Sequence, residues 1–130
     1  MKVNKEKTKI MLINRASSLD FQPNIKLETE LLDVVEESKI LGIIMSSDLK
    51  WNKHIDYIRK KCFKKMWSIR RMKEIGATNE EMLDVYFLQI RCLTEMGCPA
   101  WNGSLTISDR NKLEAIQKTA LKIILGCLQN

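Results

Sequence analysis

The sequence predicts an α+β fold: a small antiparallel β-hairpin or sheet in the N-terminal third, followed by a bundle of three main helices. Three observations predict it. Short apolar runs bounded by turn formers occupy residues 7–45, as strands do. From Trp51 onward the apolar residues recur at spacings of three and four, the period of a helix with one buried face. The strand-like and helix-like stretches are segregated along the chain, which argues α+β rather than alternating α/β. The expected division places strands in residues 1–50 and one compact helical unit in residues 51–130.

The first strand is expected over Lys7–Asn14, KTKIMLIN, an apolar run behind a basic lead. Ala16 to Asn24 reads as a loop, because Ser17, Ser18, Asp20, Pro23 and Asn24 all favour turns. Further strand signals cover Ile25–Leu27 and Leu31–Val35. Glu36-Glu37-Ser38 is expected at the tip of a β-hairpin, although it lacks the Asn-Gly or Asp-Gly signature of the tightest turns. The return strand, Lys39–Met45, carries the apolar run Ile40 to Met45. Ser46, Ser47 and Asp48 then turn the chain into its longest element.

That element spans Trp51–Ile75. Trp51, Ile55, Ile58, Cys62, Met66, Ile69 and Met72 fall on one stripe. No glycine or proline interrupts it before Gly76, a suitable C-terminal stop. It also holds nine basic residues (Lys53, Arg59, Lys60, Lys61, Lys64, Lys65, Arg70, Arg71 and Lys73) against Asp56 and Glu74, a local charge of +7. The whole chain carries +6, so the remainder sums to −1 and the positive charge belongs to this one helix. A basic face is most simply a solvated surface over a core helix. It is also the pattern that binds phosphate backbones, where affinity comes from charge without sequence choice.

Two more helices follow. Thr78 with Glu81 three residues on is a capping box. Met82, Leu83, Tyr86, Ile90 and Leu93 mark one face to about Met96, where Gly97 and Pro99 end the helix. Trp101-Asn102-Gly103-Ser104 reads as a connector. Thr106 or Ser108 caps the last helix, with Leu113, Ile116, Ala120, Leu121 and Ile124 as its buried stripe and Gly126 as its stop.

Composition narrows the function. A chain of 130 residues, 45% hydrophobic and 29% charged, suits one globular domain with a real core. No apolar run approaches the roughly twenty residues that span a bilayer. The start, MKVNKEKTKI, has no apolar h-region, so neither a secretory signal nor a membrane partner is expected. Cys62, Cys92, Cys98 and Cys127 lack paired CxxC spacing and read as reduced, partly buried thiols of an intracellular protein. His54-Ile55-Asp56 matches half of a two-histidine, one-carboxylate iron site. His54 is the only histidine, so the second histidine ligand and dioxygenase chemistry are not expected. A Cys–His pair on the helix would need a cysteine three or four positions from His54, where Tyr57 and Ile58 stand. The scattered glycines form no phosphate loop. Glu36 and Glu37, adjacent in an expected turn, read as solvated rather than as a metal-binding pair. No cofactor is expected for this chain.

EKTKIMLIN, then LLDVVEESKILGIIMSSDLKWNKHIDYIRKKC, then DVYFLQIR, GCPAW and LEAIQKTALKIILG together resemble the C-terminal part of non-LTR retrotransposon reverse transcriptases, of the jockey-like kind. The resemblance covers nearly the whole chain and is most specific in the block running into SSDLKWNKHI and in GCPAW. It implies a palm-end region with a primer-grip-like hairpin in residues 1–50 and a thumb-like region in residues 51–130. Lys7, Thr8 and Lys9 resemble the strand after the catalytic centre. Leu41 and Gly42 resemble the primer grip, where a missing Cβ lets backbone approach the primer end. Trp51, Asn52, His54 and Ile55 resemble the start of the thumb, with Trp51 expected as a core anchor rather than a base-stacking ring. Arg59, Lys60, Lys61, Lys64 and Lys65 are implied phosphate contacts on an RNA–DNA or DNA template–primer duplex. Cys98, Pro99 and Trp101, with Leu113, Ile116 and Ala120, are implied structural positions.

The family's Y/F-A-D-D box is absent, and Asp20, Asp33, Asp48, Asp56, Asp84 and Asp109 are all isolated. Ile40 stands where an aromatic residue usually precedes the Leu-Gly pair, and Thr94-Glu95-Met96-Gly97 departs from a more aromatic version. The implied picture is a truncated or decayed copy whose parent would use Mg2+ on aspartates this chain lacks. Polymerase activity is not expected of it alone. Weak, salt-sensitive duplex binding is, and so is self-association through apolar surface exposed by truncation. A rival reading is a helical interaction module whose apolar stripes bind a partner helix, with no nucleic-acid role.

Overall fold

The computed structural model describes residues 3–13, 24–27 and 29–126. The chain forms two compact units, Met1–Lys50 and Trp51–Asn130. Two small antiparallel sheets in the first and three main helices in the second make the fold α+β.

In the first unit, β1 (Lys26–Leu27) pairs with β2 (Glu30–Leu31), and β3 (Glu37–Ile40) pairs with β4 (Ile43–Ser46). The expected strand over Lys7–Asn14 is a single parallel bridge between Ile10 and Val34. Ile10 N donates to Asp33 O at 2.9 Å and Val35 N to Ile10 O at 2.8 Å. Lys5–Lys7 instead forms a 3-10 turn, and Thr8 Oγ1 donates to Asn4 O at 2.7 Å. An apolar run becomes a strand only where a neighbour supplies a ladder, and here one residue finds it. Asn14 and most of the expected loop lie outside the described residues.

The hairpin also differs from expectation. Its tip is Leu41-Gly42, not Glu36-Glu37-Ser38, so the run Ile40–Met45 is two strand ends around a reversal. Register pairs Ile40 with Ile43 and Glu37 with Ser46. Leu41 and Gly42 both have positive φ, +49° and +87°. That combination gives the two-residue turn whose twist matches the flanking strands. Glycine enters this conformation freely, and Leu41 is carried with it. Beyond β4, Leu49 N donates to Ser46 O at 2.9 Å and Lys50 N to Asp48 Oδ1 at 2.9 Å, which forms the turn expected there.

In the second unit, α1 spans Asn52–Glu74. Gly76 N donates to Lys73 O and Ala77 N to Met72 O, at 3.1 and 3.0 Å. With Gly76 at φ +84°, this is a left-handed cap that satisfies the last carbonyls. The next rod starts as α2 (Asn79–Val85), passes through a π-helical segment (Tyr86–Arg91) and ends as α3 (Cys92–Glu95). Thr78 and Glu81 form the capping box, with Thr78 N donating to Glu81 Oε2 at 2.8 Å. A short α4 (Cys98–Trp101) and a 3-10 turn lead to α5 (Ile107–Leu125). Thr106, not Ser108, caps α5 by accepting from Asp109 N at 3.2 Å, and Gly126 closes it at φ +77°.

The second unit's core follows the expected stripes closely. Ile55, Ile58, Cys62, Met66 and Ile69 of α1 are buried, as are Met82, Tyr86, Ile90, Ile116, Ala120 and Ile124. Each large side chain of this kind contributes about 1.5–3 kcal/mol relative to exposure. Leu113 and Leu121 are only half-buried, and Ile123 takes an inner place. Trp101, expected in a connector, is 1% exposed and donates from Nε1 to Met96 O at 3.1 Å. The π segment has a packing reason. Met82, Tyr86 and Ile90 are spaced strictly by four, which drifts around an α-helix, and the wider π turn returns Ile90 to the buried face.

Candidate nucleic-acid interface

The helix α1 buries the stripe running from Ile55 to Ile69, so the opposite side faces solvent. At about 100° per residue, Lys53, Lys60, Lys64 and Arg71 form one straight outward row. All four are exposed. Lys61 and Lys65 fall on one flank, and Arg59 and Arg70 on the other. The five residues Arg59, Lys60, Lys61, Lys64 and Lys65 therefore do not make a single patch. Lys60 and Lys64 lead it, Lys65 is half-buried, and the Lys61 ammonium sits 4.7 Å from the centre of the Tyr57 ring.

Other bases of α1 have intramolecular work. Arg71 Nη1 pairs with Glu74 Oε2 at 2.6 Å. Lys73 Nζ donates to the carbonyl of Ile123 and lies 3.5 Å from that of Ile124. Among the described residues no carboxylate pairs with Lys60, Lys64 or Arg70. Asp56 accepts from Lys112 Nζ of α5 at 2.8 Å, and this bond holds the Lys112 ammonium above its ordinary pKa. The two acidic residues of the basic segment are thus both engaged: Asp56 with Lys112, and Glu74 with Arg71 at the end of the outward row, which leaves Lys60 and Lys64 of that row without a carboxylate partner among the described residues.

Two exposed aromatic rings stand among these bases. Trp67 is 63% exposed and Phe63 is 36% exposed. The Arg59 guanidinium lies 5.5 Å from the centre of the Phe63 ring, and that of Arg71 lies 5.6 Å from Trp67. An open depression beside them is lined by Asp56, Arg59, Lys60, Phe63 and Lys64. Sequence reasoning missed both rings. The available signal was that they fall off the apolar stripe, at four-residue spacing from arginines.

The remaining sequence-level candidates resolve clearly. Leu41 and Gly42 form the hairpin tip of the first unit, and the Leu41 side chain is 93% exposed. Trp51 is buried, as expected of a core anchor. His54 is fully buried, with Trp101, Trp51 and Tyr57 rings centred 5.8, 6.2 and 6.5 Å away. Burial holds its imidazole below the ordinary value. Asp56 meanwhile engages Lys112, so the two ends of the H-x-D triplet do not converge. Among the described residues no three His, Cys, Asp or Glu side chains are grouped to hold a metal ion. Burial pushes the Cys62 thiol up to about 11, which keeps it protonated and unreactive. Cys92 and Cys98 are also free thiols, and Cys127 lies outside the described residues. No helix among the described residues is long and apolar enough to cross a membrane.

These features define the class: a two-unit α+β protein whose helical unit exposes a basic, aromatic-studded helix face. The chain is 24% identical, over 129 residues, to the probable RNA-directed DNA polymerase from transposon BS of Drosophila melanogaster. The match takes in 98% of this chain and 14% of that protein. This low-identity similarity supports a relation to transposon reverse transcriptases. No family model matches the chain, and no solved structure matches it.

Proposed function

We propose that the chain is a palm-end and thumb segment of a non-LTR retrotransposon reverse transcriptase, of jockey-like kind, that holds a template–primer duplex. The observation that carries this reading is the outward row of α1, in which Lys53, Lys60, Lys64 and Arg71 share one exposed line. Its length and sign suit a phosphate backbone. Lys60 and Lys64 are the principal contacts, with Arg59, Lys61 and Lys65 as flanking ones. The strained, exposed tip Leu41-Gly42 supports a role for the hairpin near the primer end. The similarity to a transposon polymerase supports the same assignment.

In this reading the segment binds and orients. The paired aspartates that would hold Mg2+ are not in this sequence, and nucleotide transfer belongs to the parent polymerase. Exposed Leu41, Ile75 and Ile107 suit self-association or docking onto the rest of such a polymerase. The rival partner-helix reading has less support, because the apolar stripes it needs are used in the chain's own core.

The test is binding of the purified chain to an RNA–DNA hybrid across a salt series. Affinity is expected to fall steeply with salt, and Lys60→Glu with Lys64→Glu to reduce it strongly while helix content is kept. Affinity that survives this charge reversal rules out the row as a duplex contact.

A further inference from the structure

Arg59, Phe63, Trp67 and Arg71 are spaced by four and form one exposed ridge about 18 Å long on α1. A large ring left 63% exposed, as Trp67 is, adds little to the core. Each ring has an arginine against it, within 5.6 Å of the ring centre. Lys60 and Lys64 border the same ridge and have no ion-pair partner among the described residues. A surface of this kind rejects a cationic or purely apolar partner. A regular duplex offers it phosphates but hides its base faces in the stack. An unpaired strand offers both phosphates and free base faces.

We propose that this ridge binds unpaired nucleotides, with Phe63 and Trp67 stacking on bases while Arg59, beside Phe63, takes a phosphate of the strand and Lys60 and Lys64 hold the adjoining duplex. The inference rests on reading α1 as a nucleic-acid face and adds a second ligand class to it. The natural occupant is a single strand running on from the duplex. Arg71 braces the Trp67 ring and is itself held by Glu74 at 2.6 Å, which fixes the platform's orientation.

Trp51 and Trp101 are 6% and 1% exposed, so collisional quenching of tryptophan fluorescence reports chiefly on Trp67. Three probes are compared by titration: a blunt RNA–DNA hybrid, the same hybrid with a single-stranded extension of about ten nucleotides, and that extension made abasic. The normal extension is expected to tighten binding at least about fivefold and to quench Trp67. The abasic extension is expected to do neither. Phe63→Ala with Trp67→Ala should erase the gain and leave blunt-hybrid affinity unchanged, whereas Trp67→Phe should retain most of it. Blunt binding without any extension effect, or a gain that survives the double substitution, overturns this inference and leaves the duplex reading standing. Binding of the extended hybrid without binding of the blunt one overturns the duplex reading alone. Binding to none of the probes by folded protein overturns both. A polyglutamate peptide that quenches Trp67 as strongly as the extension overturns the ridge as a base-stacking platform.

Discussion

The Nζ of Lys73, at the end of α1, lies 3.5 Å from the carbonyl oxygen of Ile124, at the end of α5. Near their other ends, Asp56 of α1 accepts from Lys112 of α5. Two helices tied at both matching ends run parallel. The rod between them must run back: it begins beside the end of α1, and Trp101 beyond it reaches His54 near the start of α1. Lys73 is therefore a cation at the negative end of a second helix, bonded to carbonyls that have no partner within α5.

Lys73→Met should destabilise the helical unit by about 0.5–1 kcal/mol and leave duplex binding little changed. Gly126→Ala should cost more. It strains a left-handed position, and the new Cβ would stand 3.2 Å from Lys73 Nζ. Thermal melts of both variants check this, and a Gly126→Ala protein as stable as the parent would contradict it.

Stability should fall with acid in a window set by His54. The unfolded chain takes up a proton at the ordinary histidine pKa, while burial lowers the folded value. The unfolded state then binds more protons, so stability is complete above about 6.5 and declines as pH drops through the folded value. His54→Gln should flatten this decline in urea melts between neutrality and the carboxylate range. Glu81, held low by the Thr78 backbone N–H, contributes a separate loss at lower pH.

The row and the flank of α1 should separate in binding. Lys60→Glu with Lys64→Glu should lower hybrid affinity more than Lys61→Glu with Lys65→Glu does. Lys61 is held over Tyr57 and Lys65 is half-buried. Each lost phosphate contact should reduce the salt slope by about one. Equal losses from the two pairs would mean that the helix acts only through its net charge.

Leu41→Asn should relieve the left-handed strain at the hairpin tip. A non-glycine residue there costs roughly 1–2 kcal/mol, and asparagine tolerates the conformation better. Slower amide exchange across β3 and β4 is the expected outcome. Loss of hybrid binding together with greater stability would point to the Leu41 side chain itself as a contact.

Local elements were legible because their signals are local. A capping residue and its partner three positions on specify a helix start, as Thr78 with Glu81 and Thr106 with Asp109 do. The three-and-four spacing of Ile55 to Ile69 specifies a buried face. The hairpin was misplaced because turn preference favoured Glu36-Glu37-Ser38, whereas strand pairing settles which residues lie opposite. That pairing put Ile40 against Ile43 and left only Leu41-Gly42 to turn.

The candidate interface shows the same division. Sequence alone determined that one helix carries the positive charge, and which of its residues face inward, because charge and period are properties of the segment. Tertiary structure decided which bases remain for a ligand. Lys73 went to the end of α5, Asp56 was taken by Lys112, and Phe63 and Trp67 were left outside between arginines. These outcomes join residues up to 56 positions apart. No local pattern encodes them, because the partner of each side chain is chosen by how the helices pack.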